Sequence, residues 1–342
     1  MMARMAAGLA VIVAVLVELG AFSGAARAQD SAVVLMYHGF GAEAGPTGTD
    51  IADFEAHIAH LADGDYSVLP LGQVVAALQT GTTLPNRSIT ITIDSAHVSV
   101  YREAWPRLKA AGFPFTVFVA TDSIDSGRPG TLGWDRVREL ASAGVTIGSQ
   151  GAAYRHLATL STMAAAADIE RAHLRLIEEL GVGPAMFAYP YGEYGATVQK
   201  VLAGQGYAAA LGQHSGVLSR STDPLAVPRF SLTGRFAKIG RFRLVVDTLP
   251  LPVSDLVPPD PVLGVNPPAL GFTVADGIGP LDDLACYTGR SGRLPLEKLG
   301  PSRIEVRFAE PLPVGRSRVN CTLPGPDGRW RWFGLQFLVP AE

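Results

Sequence analysis

The sequence predicts an α/β fold, a parallel (β/α) barrel, followed by a small all-β, immunoglobulin-like sandwich. Residues 31–242 alternate strand-like and helix-like runs, as barrels of parallel strands do. A proline-rich stretch follows, and the remaining residues alternate apolar and polar side chains with the period of two that is typical of strands. An open doubly wound sheet gives a similar alternation, but no glycine-rich nucleotide fingerprint follows the early strands.

Composition narrows the possible partners. The 342 residues suit one barrel and one smaller domain. Only 17% of the residues are charged, and the formal net charge is -3. Because binding to a phosphate backbone needs a basic excess, we predict no nucleic-acid partner.

The first 28 residues resemble a secretory signal peptide. Arg4 supplies the positive charge, residues 6–17 form an apolar run, and Ala26-Arg27-Ala28 has the small residues of a cleavage site. An uncleaved membrane anchor is the alternative, but the apolar run is shorter than the ~20 residues that a membrane span needs. We therefore predict cleavage after Ala28 and a periplasmic or secreted protein with no stable membrane span.

Two cysteines are present, Cys286 and Cys321. In an oxidising compartment they would form a disulfide, and with a single pair the connectivity is fixed. Two buried free thiols are the alternative.

Residues 29–245 are predicted to form the barrel. Its expected strands lie at 32–37, 67–70, 88–94, 113–119, 145–148, 186–189 and 208–211. Helices are expected between them, at 53–62, 72–79, 98–111, 131–143, 163–180 and 197–203. The strand at 88–94 alternates β-branched residues and ends in Asp94. Barrels of this class place their chemistry at the carboxyl ends of their strands, so this acid is the first candidate for a functional residue.

The composition changes beyond the barrel. Residues 246–268 contain a cluster of prolines and are predicted to form a stiff linker. Residues 269–342 are predicted to form the sandwich, with strands at 271–274, 303–308, 318–323 and 330–337 and a hairpin turn at 326–328. Trp330 and Trp332 on the last strand suit either stacking on sugar rings or packing in a core.

Several motifs carry a resemblance to a known family. Leu35-Met36-Tyr37-His38, Thr92-Ile93-Asp94, Phe187-Ala188-Tyr189-Pro190-Tyr191-Gly192 and Val227-Pro228-Arg229-Phe230 occur in this order. Together they resemble the polysaccharide deacetylase (NodB-like, carbohydrate esterase family 4) family over residues 33–230. The resemblance implies the distorted barrel of that family. It also implies N-deacetylation, an amide hydrolysis, of a glycan that contains GlcNAc.

The resemblance also implies roles for individual residues. Asp94 matches the catalytic base. His214 lies near the position of the general acid, at a spacing one residue longer than in the family. The groove that binds substrate is implied to include His38, Tyr189, Pro190, Tyr191, Gly192 and Arg229. Of these, Arg229 is also implied to pair with the base.

The sequence departs from the family at its metal site. The family binds zinc through an aspartate and two histidines, and those positions hold Ser95, Gln150 and Tyr154 here. Neutral serine, glutamine and tyrosine side chains are poor zinc ligands. We therefore predict that a family-type zinc site is missing.

A rebuilt metal site remains an alternative. Asp94 with His97 and His156 is one possible ligand set, and His38 and His214 are expected to face the same mouth of the barrel. Two functions are left open. One is a deacetylase with an impaired or altered metal site, and the other is an inactive relative that binds glycan or a protein partner in the cell envelope.

Overall fold

The computed structural model describes residues 30–341, and the predicted signal peptide lies outside them. No helix within this range is long and apolar enough to cross a membrane. Residues 30–231 contain eleven strands. They are β1 (Ser31–Tyr37), β2 (Gly39–Phe40), β3 (Gly48–Thr49), β4 (Ser67–Val68), β5 (Ser88–Asp94), β6 (Phe115–Val119), β7 (Thr146–Ser149), β8 (Met186–Ala188), β9 (Ala209–Leu211), β10 (Leu218–Ser219) and β11 (Phe230–Ser231).

Eight α-helices accompany these strands. They are α1 (Ile51–Asp63), α2 (Leu71–Thr80), α3 (Trp105–Ala110), α4 (Thr121–Asp125), α5 (Trp134–Ser142), α6 (Thr162–Leu180), α7 (Ala196–Gly204) and α8 (Ile239–Val246). A π-helical turn at Val100–Ala104 leads into α3. Ser161 caps the start of helix α6, where its side chain accepts a hydrogen bond from the backbone of Ala164, and Gly181, whose φ is 75°, caps its end.

The central sheet is a curled, mainly parallel sheet in the order β10-β1-β5-β6-β7-β8-β9. The segment around β11 closes the gap between its ends. Phe230 pairs in parallel with Leu35 of β1, and Val227 forms a parallel bridge with Leu211 of β9. The predicted distorted barrel is therefore confirmed.

The barrel strands are buried on both faces. All seven residues of β1 and all seven of β5 are buried, which is why these strands form continuous apolar or β-branched runs in the sequence. The largest core cluster joins β1, β5 and β6 to α1, α3, α5 and α8. This rigid base holds fixed the loops that follow the strands.

The proline-rich segment was wrongly predicted to be a linker. It carries β12 (Leu249–Pro250), which pairs with the last strand, and β13 (Val253–Val257), which pairs with the next strand along the chain. Both lie at sheet edges, where proline is tolerated because its missing N–H faces away from the ladder.

The predicted all-β domain is confirmed as two sheets with an apolar core between them. Its further strands are β14 (Leu270–Val274), β15 (Ala285–Thr288), β16 (Gly292–Leu294), β17 (Leu296–Leu299), β18 (Arg303–Val306), β19 (Gly315–Pro324) and β20 (Trp330–Val339). The sheet orders are β12-β20-β19-β15-β16 and β13-β14-β18-β17. Cys286 and Cys321 face each other on β15 and β19 and form the predicted disulfide.

Candidate functional site

The candidate site is a cavity of about 340 Å³ at the carboxyl ends of the barrel strands, here called the strand-end cavity. Four of its residues directly follow four neighbouring strands: His38 after β1, Ser95 after β5, Ala120 after β6 and Gln150 after β7. Its remaining lining is Ala96, His97, Ser123, Arg128, Pro129, Gly130, Thr131 and Tyr154. The topology of the sheet thus brings distant parts of the sequence to one mouth.

An ion pair lies directly beneath this cavity. Asp94 accepts hydrogen bonds from both ends of the Arg229 guanidinium, at 2.6 Å from Nη1 and 2.8 Å from Nη2. Neither side chain is exposed to solvent. Arg229 also donates from Nε to the Gly212 carbonyl at 2.8 Å and from Nη1 to the Thr92 hydroxyl at 3.2 Å. The pairing implied for Arg229 is therefore present, and it ties β5 to the segment that closes the barrel.

Three of the residues predicted from the metal motifs line the strand-end cavity together. Ser95 and Tyr154 are half-buried, and Gln150 is fully buried. Ser95 and Tyr154 have positive φ angles of 83° and 51°, which serine and tyrosine rarely adopt. Burial, followed by the nearby charge of Asp94, raises the pKa of Tyr154 to about 12, so its hydroxyl stays protonated.

Two groups at this cavity have unmet hydrogen-bonding capacity. Within residues 30–341, neither the Oε1 nor the Nε2 of Gln150 has a hydrogen-bond partner, and the same is true of His38 Nδ1. Burial lowers the pKa of His38, with an opposing influence from Asp94. The imidazole is therefore neutral at physiological pH, with one nitrogen free to accept a hydrogen bond.

The comparisons with known proteins agree with this geometry. Residues 81–210 match the family model described as polysaccharide deacetylase. By this match, the chain is similar to the polysaccharide deacetylase family over residues 81–210. A relative from Bacillus subtilis (strain 168), YxkH, is named as a polysaccharide deacetylase. It is 24% identical to this chain over 196 residues, which cover 57% of this chain and 69% of that protein.

Solved structures of the family share the fold. The deacetylase PplD of Streptococcus pyogenes, solved with acetate, has a TM-score of 0.59 and 18% identity, covering 63% of this chain and 98% of its own. IcaB from Ammonifex degensii has a TM-score of 0.58 and 24% identity, covering 64% of this chain and 97% of its own. At these identities the likeness establishes the barrel and nothing finer.

The donor set does not fit the zinc ion that the family fold implies. Ser95, Gln150 and Tyr154 offer a hydroxyl, an amide and a protonated phenol, where zinc prefers carboxylate and imidazole. No three His, Cys, Asp or Glu side chains of the part of the chain that the structure describes converge to hold a metal ion.

The residues of the alternative ligand set also do not come together. His97 lines the strand-end cavity, but its Nδ1 lies 2.7 Å from the Ser99 hydroxyl. His156 lies on the surface, where its Nδ1 is 2.7 Å from Glu193 Oε2 and its ring stacks on Tyr191. The alternative grouping of these two histidines with Asp94 is therefore not formed in the described residues.

His214 is placed away from Asp94, contrary to the expectation that it faces the same mouth. Its side chain lines a second cavity of about 280 Å³ between the barrel and the sandwich, together with Tyr194 and Trp332. Burial lowers its pKa to about 4. A general acid must reach the substrate, and the structure gives His214 no contact with the strand-end cavity.

Not all of the predicted groove residues of the Pro-Tyr-Gly motif lie next to the site. Tyr189 packs in a core cluster and donates its hydroxyl to the Leu225 carbonyl at 2.8 Å, and Pro190 is buried beside it. Gly192 has a φ of 71°, and a Cβ there would meet Gln213 at 2.4 Å. These three residues shape the loop from within. Only the half-buried Tyr191 remains next to the site, through an edge contact with Tyr154.

The sandwich contributes contacts that sequence analysis missed. Gln336 Nε2 and Arg316 Nη1 donate to the Tyr191 carbonyl at 3.1 and 3.2 Å. Arg316 also lies over the Tyr191 ring and 3.5 Å from Glu193. The second domain therefore holds the loop beside the site. No local pattern signals a contact between residues that lie so far apart in the chain.

Proposed function

We propose that this protein binds a GlcNAc-containing glycan in the strand-end cavity without hydrolysing it by the metal-dependent route of its family. The observation that carries the proposal is the meeting of Ser95, Gln150 and Tyr154 in one cavity. All three stand at the positions of the family's metal ligands, and all three are neutral.

The chemistry of deacetylation explains why these replacements matter. A bound zinc ion lowers the pKa of its water by about nine pKa units, to about 7, and stabilises the oxyanion. At about 1.36 kcal/mol per pKa unit, the first effect alone amounts to about 12 kcal/mol. A hydroxyl, an amide and a protonated phenol can donate hydrogen bonds to an oxyanion, but they do not lower the pKa of water.

Asp94, the residue that matches the catalytic base, does not replace the zinc ion in activating water. Each oxygen of Asp94 accepts one hydrogen bond from Arg229, and the Asp94 side chain has no exposure to solvent, so a water in the cavity does not reach it. A general base must lie within hydrogen-bond reach of the water that it activates. In this arrangement the carboxylate stabilises the barrel and lies beneath the cavity.

Retained deacetylation is the second candidate. It is favoured by the Asp94–Arg229 pair and by His38, which stands beside them at the cavity with a neutral ring. In this case a glycan amide would be cleaved slowly by a mechanism without the family's zinc ligands.

Metal analysis of the mature protein, combined with acetate release and binding assays on chitooligosaccharides, separates the two functions. We expect binding in the micromolar to millimolar range, less than stoichiometric zinc, and no acetate above a blank. Stoichiometric zinc together with released acetate would overturn the proposal.

A restoration variant tests the assignment of the site. Ser95→Asp, Gln150→His and Tyr154→His together should create a zinc site. Asp and His tolerate positive φ better than most residues do, so two of the three positions already have a suitable backbone. The matched control, Ser95→Asn with Gln150→Asn and Tyr154→Phe, changes the same positions without zinc ligands. If the restored protein binds no more zinc than this control, the three positions are wrongly assigned.

We also propose that the protein acts in the periplasm or outside the cell. The signal-like segment ending at Ala28 and the disulfide between Cys286 and Cys321 both support export. N-terminal sequencing of the protein recovered from the periplasm or medium tests this, and a mature chain that still begins at Met1 would contradict it.

A further inference from the structure

Gln150 presents a complete but unused amide at the strand-end cavity. Its side chain is 0% exposed, and its backbone N–H donates to the Val119 carbonyl at 2.8 Å, which fixes the residue at the end of β7. In the part of the chain that the structure describes, its Oε1 and Nε2 both lack a hydrogen-bond partner. Buried polar atoms are nearly always paired, so a side chain with both ends unpaired calls for a missing partner.

The chemistry of that partner follows from the amide itself. Glutamine offers a carbonyl that accepts and an NH₂ that donates, side by side in one plane. A group that satisfies both ends must donate and accept with the same spacing. A secondary amide such as an acetamido group does so, with its N–H and its carbonyl. An alkyl hydroxyl donates and accepts through the same oxygen atom, and an ammonium group has donors alone.

The surroundings of Gln150 favour a neutral group. His38 carries a lowered pKa and is neutral, and Tyr154 keeps its proton. The nearest buried charges, Asp94 and Arg229, are paired with each other. A cation brought to this cavity would lose its hydration without gaining a carboxylate, which disfavours an amino sugar.

We propose that Gln150 recognises the N-acetyl group of the glycan, so that the cavity selects acetylated over deacetylated sugars. This inference rests on the proposed function and deepens it. Gln150, which stands at a metal-ligand position of the family, then binds the acetyl group that enzymes of the family remove. Because the Gln150 side chain is fully buried in the free protein, the ligand reaches its amide only when neighbouring residues of the cavity lining move.

Three trisaccharides with related backbones test the proposal. We expect triacetylchitotriose to bind about tenfold to a hundredfold more tightly than either chitotriose, which has free amines, or cellotriose, which has hydroxyl groups at the same carbons. Equal binding of all three would overturn the role of Gln150 and leave glycan binding intact. Failure to bind any of them would overturn the proposed function and this inference with it. Acetate release would overturn only the non-hydrolytic part of the proposed function.

A variant and an NMR titration distinguish recognition of the acetyl group by Gln150 from a purely structural role of this residue. Gln150→Met keeps the side chain's length and removes both unpaired atoms, so it should raise the Tm and abolish the preference for the acetylated sugar. A purely structural glutamine would give no change in that preference. Gln205→Met is the control, since Gln205 also has an unpaired oxygen but lies at the end of α7. In the wild type, the side-chain NH₂ resonances of Gln150 should shift on titration with triacetylchitotriose, and unshifted resonances would contradict the proposal.

Discussion

Replacing Arg229 by methionine is expected to destabilise the protein by about 3–5 kcal/mol, because it leaves the Asp94 carboxylate buried without its partner. Both side chains have 0% exposure, so water cannot replace the guanidinium. The substitution also removes the donor to the Gly212 carbonyl, which lies 2.8 Å from Arg229 Nε. It therefore loosens the segment that closes the barrel.

The expected shift in Tm follows from the size of the domain. For a domain of roughly 200 residues, each kcal/mol corresponds to about 2–4 °C. Arg229→Met should therefore lower the Tm by about 6–20 °C, measured by circular dichroism at neutral pH. Asp94→Asn should also destabilise, since it leaves the Arg229 charge buried. Arg307→Met, which breaks the exposed contact with Glu297, is the control and should leave the Tm nearly unchanged.

A double variant decides whether the pair acts as a unit. Asp94→Leu combined with Arg229→Met removes both charges, and it should recover most of the stability lost in Arg229→Met alone. A loss of less than 1 kcal/mol in Arg229→Met would refute the reasoning. So would a double variant whose loss equals the sum of the losses measured in Arg229→Met and in Asp94→Leu alone.

Three further outcomes are expected. Burial lowers the pKa of His57 to about 4, so protonation of this residue opposes folding. The free energy of unfolding is highest above about pH 6.5 and falls by about 3 kcal/mol on acidification to pH 4. Urea titrations should find a smaller loss in His57→Phe. Replacing Cys286 and Cys321 by serine removes a cross-link between residues 35 apart and should cost about 4 kcal/mol in the sandwich, whereas an unchanged urea midpoint would contradict it. Arg316→Ala should weaken glycan binding several-fold with little change in Tm, because it frees the loop at Tyr191, and unchanged affinity would exclude that role.

The sequence was sufficient to predict most of the barrel. Parallel strands buried on both faces form apolar or β-branched runs, and the expected strand at 88–94 coincides with β5. The long helix expected at 163–180 differs from α6 by one residue. Helix α4 has five residues, and strands such as β10 and β11 have two each. Elements this short contain too few residues to show a period, so they were missed.

The site could be predicted only as far as strand ends determine it. His38, Ser95 and Gln150 follow parallel strands, so the topology alone brings them together. His214 also follows a strand, but its direction depends on how the backbone turns after β9, which no periodicity specifies. The Arg316 contact joins two domains and depends on how they pack. Local pattern therefore predicts where a site forms and leaves open which side chains point into it.

The survival of Asp94 in a chain without the family's metal ligands has a physical explanation that does not need catalysis. Ser95, Gln150 and Tyr154 are neutral, so exchanging a metal ligand for any of them leaves no charge unpaired. Asp94 is different, because losing it would bury the Arg229 guanidinium without a partner, at a cost of about 3–5 kcal/mol. Marginal folding stability of about 5–15 kcal/mol cannot easily absorb such a loss. The fold therefore requires Asp94, and its presence by itself is no evidence that the protein hydrolyses a glycan.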